Sequence, residues 1–150
     1  MAKGTQIKNV TNMWITKQDL ATHLRTEVID AISRNDEAVV AASIDSAIVE
    51  AKGYLSAYDT DTIFSTAEEN RHGLLLLFVK DIAAYHLICV ANINTQLELR
   101  KQRYERAVKW LTDVKNAAIA VDLPLKKDES GNLVESRVKM GSNNKRVQHF

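Results

Sequence analysis

From Leu74 to Ala91 the chain is apolar at almost every position, and only Lys80, Asp81 and His86 are strongly polar. A helix that is apolar nearly all round must be covered on most sides, so this run predicts a central helix wrapped by other elements. A membrane span is the rival reading. It needs about 20 mainly apolar residues, and Lys80 and Asp81 fall near the middle of this shorter run, which disfavours it. The flanking pattern supplies the wrapping. Val40, Ile44, Ala47, Ile48, Ala51 and Leu55 keep the spacing of a core-facing helical stripe, with Asn35 or Asp36 as its cap. Gly53 interrupts that stripe, which predicts close helix packing or a functional need there. Leu97, Tyr104, Leu111 and Ala118, with Val108 and Val114 between them, mark a last long helix, capped by Asn94 or Thr95 and stopped at Leu123-Pro124. Its outer face is charged. Lys101 with Glu105, Glu105 with Lys109 and Lys109 with Asp113 are i, i+4 pairs, each contributing about 0.2 to 0.5 kcal/mol.

Towards the N-terminus, residues 1–13 are polar and aperiodic and read as a flexible arm. Order begins at Trp14-Ile15. Thr16 followed by Asp19 has N-cap spacing and opens a short helix through Leu20 and Leu24, and Thr26 is placed to cap a second one ending at Ser33-Arg34-Asn35. Two short helices in succession invite a helix-turn-helix reading. A lid packed over the bundle fits better, because Asp19, Glu27 and Asp30 outnumber the basic residues a phosphate-facing element needs. Tyr58 to Thr62 breaks the longer helix. Asp59 and Asp61 are spaced as in calcium loops, but the later ligands are missing and a solvated turn is the better reading. Beyond Pro124 the pattern changes: Glu129-Ser130-Gly131-Asn132 is a turn between short strand-like pieces, which suggests a small hairpin.

Composition narrows the class. The 150 residues hold one Pro and 5 Gly, which favours long helices over many strands and turns. The expectation is an all-α helical bundle around a central hydrophobic helix, residues 14–124, with residues 125–150 as an extended C-terminal arm or small hairpin. Twenty Lys and Arg against 19 Asp and Glu give a net charge of +1, so no strong overall field steers the molecule to nucleic acid or membrane. A single cysteine, Cys89, rules out an intrachain disulfide scaffold and points to a reducing cytoplasm. The first residues lack the apolar core of a signal peptide, so export is not expected.

Candidate chemistry is sparse. His86 and Cys89 lie three apart on the central helix, but no spacing supplies the further ligands of a zinc site, and a packed thiol beside a carboxylate-bonded or backbone-bonded histidine is preferred. A thiol in an apolar stretch is also poorly placed as a nucleophile. Phosphate-binding glycine loops are absent. No enzyme, cofactor or metal is expected. Asp81 stands out, because a carboxylate in an apolar helix must be paired or reach an edge. Tyr85, one turn on, is a candidate donor; Arg71 or a basic residue of the last helix is a candidate counter-charge. Asp81 and Tyr85 are read as a structural anchor in preference to an interface contact. Arg137, Val138, Lys139, Met140, Lys145, Arg146, Val147 and Phe150 give the tail cations and apolar anchors without an acidic residue, and are read as a protein-interaction arm.

Trp14-Ile15-Thr16-Lys17-Gln18-Asp19-Leu20, Ile44-Asp45-Ser46-Ala47-Ile48 running on to Tyr54-Leu55 and Tyr58, Asp81-Ile82-Ala83-Ala84-Tyr85-His86-Leu87, and Arg103 to Leu111 occur in an order that resembles the small helical proteins of the head gene clusters of Mu-like tailed phages and prophages, which are similar to head–tail connector (adaptor) proteins. The resemblance spans roughly Trp14 to Pro124. It implies an α-helical subunit, without catalysis, forming a ring homo-oligomer of about twelve copies between portal and tail-completion proteins. The location implied is the virion head–tail junction, and the host cytoplasm during assembly, with no membrane contact and with DNA only passing through the ring lumen. The N-terminal arm and the polar tail are longer than that pattern. An alternative from the residues alone is a nucleic-acid-binding accessory protein, with Arg100, Lys101, Arg103 and Arg106 forming a basic face together with the tail. Steeply salt-dependent DNA retention would favour it.

Overall fold

A computed structural model describes residues 14–91 and 97–134. Its helices are α1 (Lys17–Leu20), α2 (Thr26–Ser33), α3 (Glu37–Tyr54), α4 (Thr60–Ser65), α5 (Gly73–Ala91) and α6 (Leu97–Lys115), with a 3-10 turn at Glu68–Asn70 before α5. Among the described residues there is no strand. The protein is an all-α bundle built on α5, which packs between α3 and α6 and is covered by α1 and α2. Leu75, Val79, Ile82, Ala83, Ala84 and Leu87 on α5 are fully buried. Gly73–Val90 has a mean hydropathy of 1.8 and is long and apolar enough to cross a membrane; in this fold half of it is buried against its neighbours. The short helices α1 and α2 lie on the bundle as a lid.

Local signals explain most boundaries. Thr16 and Asp19 form a reciprocal capping box that starts α1. Asp36 caps α3 by accepting from the Ala38 amide at 2.9 Å, and Val40, Ile44, Ala47 and Ala51 bury the expected stripe. Three details differ from the sequence reading. Thr26 is the first residue of α2 and does not cap it; Arg25 takes that position with no side-chain bond. The break after Tyr58 contains a further helix, α4, because the Asp59 carboxylate accepts from the Thr62 amide at 3.1 Å and its hydroxyl at 2.7 Å. Gly53 is exposed, and a Cβ there would meet nothing within 4 Å, so close packing is not its reason.

The largest difference is at the end of α6, which stops at Lys115 rather than near Pro124. Ala117 turns left-handed (φ 54), and the amides of Ala117 and Ala118 bond back to the carbonyls of Val114 and Asp113. This is a Schellman closure with Ala where Gly is usual. Ala118 is therefore beyond the helix and exposed. From there Ile119, Val121 and Leu123 pack on the core while Ala118, Ala120 and Asp122 face water, an alternation of extended chain. Residues 124–126 are tied to the α3–α4 link: Asp59 donates its amide to the Pro124 carbonyl at 2.8 Å, Lys126 donates to Ala57 at 3.1 Å, and Tyr58 pairs with Leu125 as an antiparallel bridge. Lys127 bridges Leu133 across a turn holding Gly131 at φ 81. The hairpin alternative thus describes the chain between Leu125 and Val134 better than an extended arm does.

Candidate functional site

Among the described residues Asp81 is the most buried charged side chain, 1% exposed on α5. Its partners come from two distant parts of the chain. The Nε of Arg103 on α6 lies 2.8 Å from Oδ1, and Nε2 of His23, in the link between α1 and α2, lies 3.3 Å from it. Neither contact is aligned as an N–H···O hydrogen bond and neither carboxylate oxygen accepts one, so Arg103 holds Oδ1 by charge and proximity. Tyr85 is not the donor expected of it. One helical turn along α5 its side chain falls to a different side, where its ring stacks on Tyr104 with centroids 4.5 Å apart. Arg71 is committed elsewhere, and the basic residue of the last helix is the counter-charge.

Arg71 instead grips Asp19. Its Nη1 and Nη2 donate to the two carboxylate oxygens at 2.9 and 3.2 Å, and Nη1 also donates to the Trp14 carbonyl at 2.6 Å. Burial by itself lifts the Asp19 carboxyl, but the Arg71 guanidinium and the Thr16 donors outweigh it and hold the group below the usual carboxylate range. Nearby, Lys80 donates to the Thr22 hydroxyl at 3.0 Å, and its partial burial lowers its pKa.

A third polar group sits between α3, α5 and α6. Glu50 accepts from the Tyr104 hydroxyl at 2.8 Å, and His86 Nε2 lies 2.8 Å from its other oxygen. Burial, then the bond to Glu50, pushes the Tyr104 phenol well above its ordinary range. The carboxylate partner expected for His86 is therefore Glu50. Cys89 departs from expectation: it is exposed, although Leu87 and Ile88 beside it are buried. Among the described residues no group of three or more His, Cys, Asp or Glu is close enough together to hold a metal ion.

The basic cluster proposed for nucleic acid is divided. Arg100 is buried, Arg103 turns in to Asp81, Arg106 lies over the Phe78 ring at 5.5 Å, and Lys101 faces Glu105 at 3.9 Å. Lys109 pairs with Asp113 at 2.8 Å, and no Glu105–Lys109 ion pair forms. Of the four, Lys101 and Arg106 are exposed, Arg103 is partly so, and Arg100 is buried. The tail residues Arg137, Val138, Lys139, Met140, Lys145, Arg146, Val147 and Phe150, the N-terminal arm, and the caps Asn94 and Thr95 lie outside the described residues.

The surface beside the end of α5 is mixed, one groove mainly apolar and its neighbour also lined by Ser33, Arg34 and Asp36. Val90 is 63% exposed and stands between two adjoining grooves of about 440 and 400 Å³, which also share Val39. The first groove is completed by Ala31, Ile32 and Arg34 of the α2 end, the second by Ala42, Ser46 and His86. Sequence reasoning missed this face, because a run that is apolar all round does not say which side stays uncovered.

Residues 14–140 match the family model described as Bacteriophage Mu, Gp36. No curated protein and no solved structure matches the chain.

Proposed function

Because the chain belongs to the bacteriophage Mu Gp36 family, and so is a Mu-like phage protein, we propose that it is a structural subunit of the head–tail junction, a connector that closes into a ring between portal and tail-completion proteins. The family match over residues 14–140 carries this reading. The open groove about Val90 supports it, since a head-to-tail ring needs a face that buries apolar surface against a different face of the next copy. In this reading the tail from Arg137 to Phe150 adds an arm that contacts a neighbour, its cations meeting acidic surface. The subunit assembles in the host cytoplasm and works in the virion, with DNA passing through the lumen.

Negative-stain microscopy of the purified chain mixed with its portal tests the reading directly. Rings on the portal are expected from the intact chain. A Val90→Glu variant, changed at an exposed position, should melt as the parent does and assemble poorly. Truncation after Leu133 should leave a folded core with weakened assembly. Equal ring formation by all three chains would take the groove and the tail out of the interface, and no rings from the intact chain would overturn the reading.

A further inference from the structure

The two long helices beside α5 turn different faces to solvent. On α6 the exposed positions are mostly charged, among them Glu98, Lys101, Glu105, Arg106 and Lys109. On α3, after its first residue, they are Ala38, Ala42, Asp45, Ser46, Val49 and Gly53, which follow one side of the helix and include a single charge over about four turns. A solvent-facing side is normally polar. Val49 is 61% exposed in the middle of this one. At its N-terminal end the face runs into the mainly apolar groove of about 400 Å³ lined by Val39, Ala42, Ser46 and Val90. Among the described residues no element covers it.

The described chain ends beside the other end of this face. Lys126 donates its amide to the carbonyl of Ala57, just past the end of α3, and Val134 donates to the Lys126 carbonyl at 3.0 Å. Residues 135–150 therefore start near Gly53. From Gly53 to Val39 the helix rises about 21 Å at 1.5 Å per residue, and residues 135–150 span up to about 53 Å at roughly 3.3 Å each. We propose that the outer face of α3, with the groove at its end, is the seat of residues 135–150 of the same molecule. In extended chain Val138 and Met140 fall on one side and suit the run from Val49 to Ala42, which leaves Val147 and Phe150 for the groove. The order of charges agrees with this direction. Glu135 starts towards Lys52, Arg137 and Lys139 follow towards Asp45, and Lys145 and Arg146 reach the N-terminal end, where Asp36 and Glu37 outnumber Arg34. A tethered segment meets its seat at high effective concentration, which favours the chain's own tail over that of another copy. The docking goes beyond the ring reading and does not depend on it; ring closure would pass the segment to the next copy's α3 by exchange.

Cys89, exposed beside Val90, is the chain's single cysteine and serves as a reporter at the groove. Gln148→Cys in the full-length chain sets a second thiol between Val147 and Phe150. Mild oxidation at low protein concentration is expected to close an intrachain disulfide, read by mass spectrometry as a monomer without free thiol, about tenfold faster or more than in a Thr5→Cys control. Two further changes at exposed positions probe the face itself. Added to Gln148→Cys, Val49→Glu should slow closure by about tenfold and Asp45→Lys by about threefold, both with helical content unchanged by circular dichroism. Closure no faster than in the control, or closure unmoved by both changes, would overturn the proposal. Covalent dimers in place of the closed monomer would overturn it too, because the face would then take the tail of a second copy. No portal enters the assay, so a failure of the connector reading leaves its outcome intact.

Discussion

Asp19 and Asp81 are both carboxylates held by arginine, and they are held in opposite ways. Asp19 is half-buried, takes both arms of Arg71 in aligned hydrogen bonds, and accepts from Thr16 as well. Asp81 is fully enclosed, has Arg103 and His23 at contact distance, and has no aligned donor. The first arrangement is a fastening whose donors repay the cost of drying the acid. The second relies on opposite charge in a dry interior, where removing one partner strands the others. Depth alone is therefore a poor guide to how well a charge is satisfied.

The sharpest way to break this contrast is Asp81→Ala, which leaves Arg103 and Arg100 without their anion and should destabilise by about 3 to 5 kcal/mol in urea unfolding. Asp19→Ala loses charge-assisted bonds and a helix cap and should cost about 2 kcal/mol, since water can reach Arg71's former partner site. Equal costs would show that burial does not separate the two. A triple change, Asp81→Leu with Arg100→Met and Arg103→Met, should recover most of the loss, because a buried ion cluster is often no better than apolar residues of similar volume. A triple variant as unstable as Asp81→Ala would mean that the cluster fixes the packing.

Acidification sharpens the comparison further. The Asp19 carboxyl is depressed in the folded chain, so its contribution is complete above the ordinary carboxylate value of about 4 and is lost as pH falls below it. The parent chain should lose stability in that window, and Asp19→Ala should lose measurably less. The smallest effect calibrates the rest: Gly53→Ala, in open space on α3, should raise stability by up to about 1 kcal/mol, whereas Lys101→Ala should stay within about 0.5 kcal/mol of the parent.

What could be read from the chain follows the same division between local and distant causes. The run from Leu74 to Ala91 gave the central helix because its apolar character is a local property, and the α3 stripe from Val40 to Leu55 was readable for the same reason. That Asp81 needs partners was legible; their identity was not, since His23 is 58 positions earlier and Arg103 22 later, and only packing brings them together. Two misreadings had visible signals. Asp59 followed by Thr62 has cap spacing, and Ile119, Val121 and Leu123 alternate with period two where a helix was expected. The left-handed Ala117 gave no such warning, because Gly usually marks that position. The exposure of Cys89 and Val90 beside buried Leu87 and Ile88 depends on which side of α5 its neighbours cover, which periodicity cannot tell in a run that is apolar all round. The arm assigned to Arg137 through Phe150 lies beyond the described residues and was tested by nothing in the fold.

The bonds that fasten residues 124–126 to the α3–α4 link have a mechanical consequence. A pull on the chain beyond Val134 reaches first the Val134-to-Lys126 bond and the Lys127–Leu133 bridge, and only then the bonds of Asp59 and Ala57. Opening the hairpin between Lys127 and Leu133 releases about 15 Å of slack, six spans of roughly 3.3 Å less the roughly 5 Å that already separates the bridged residues. Tension is thereby absorbed in a small surface device and, when it passes on, is delivered to the junction of α3 and α4. The α6 helix and the buried ions at its N-terminal half are isolated from the load.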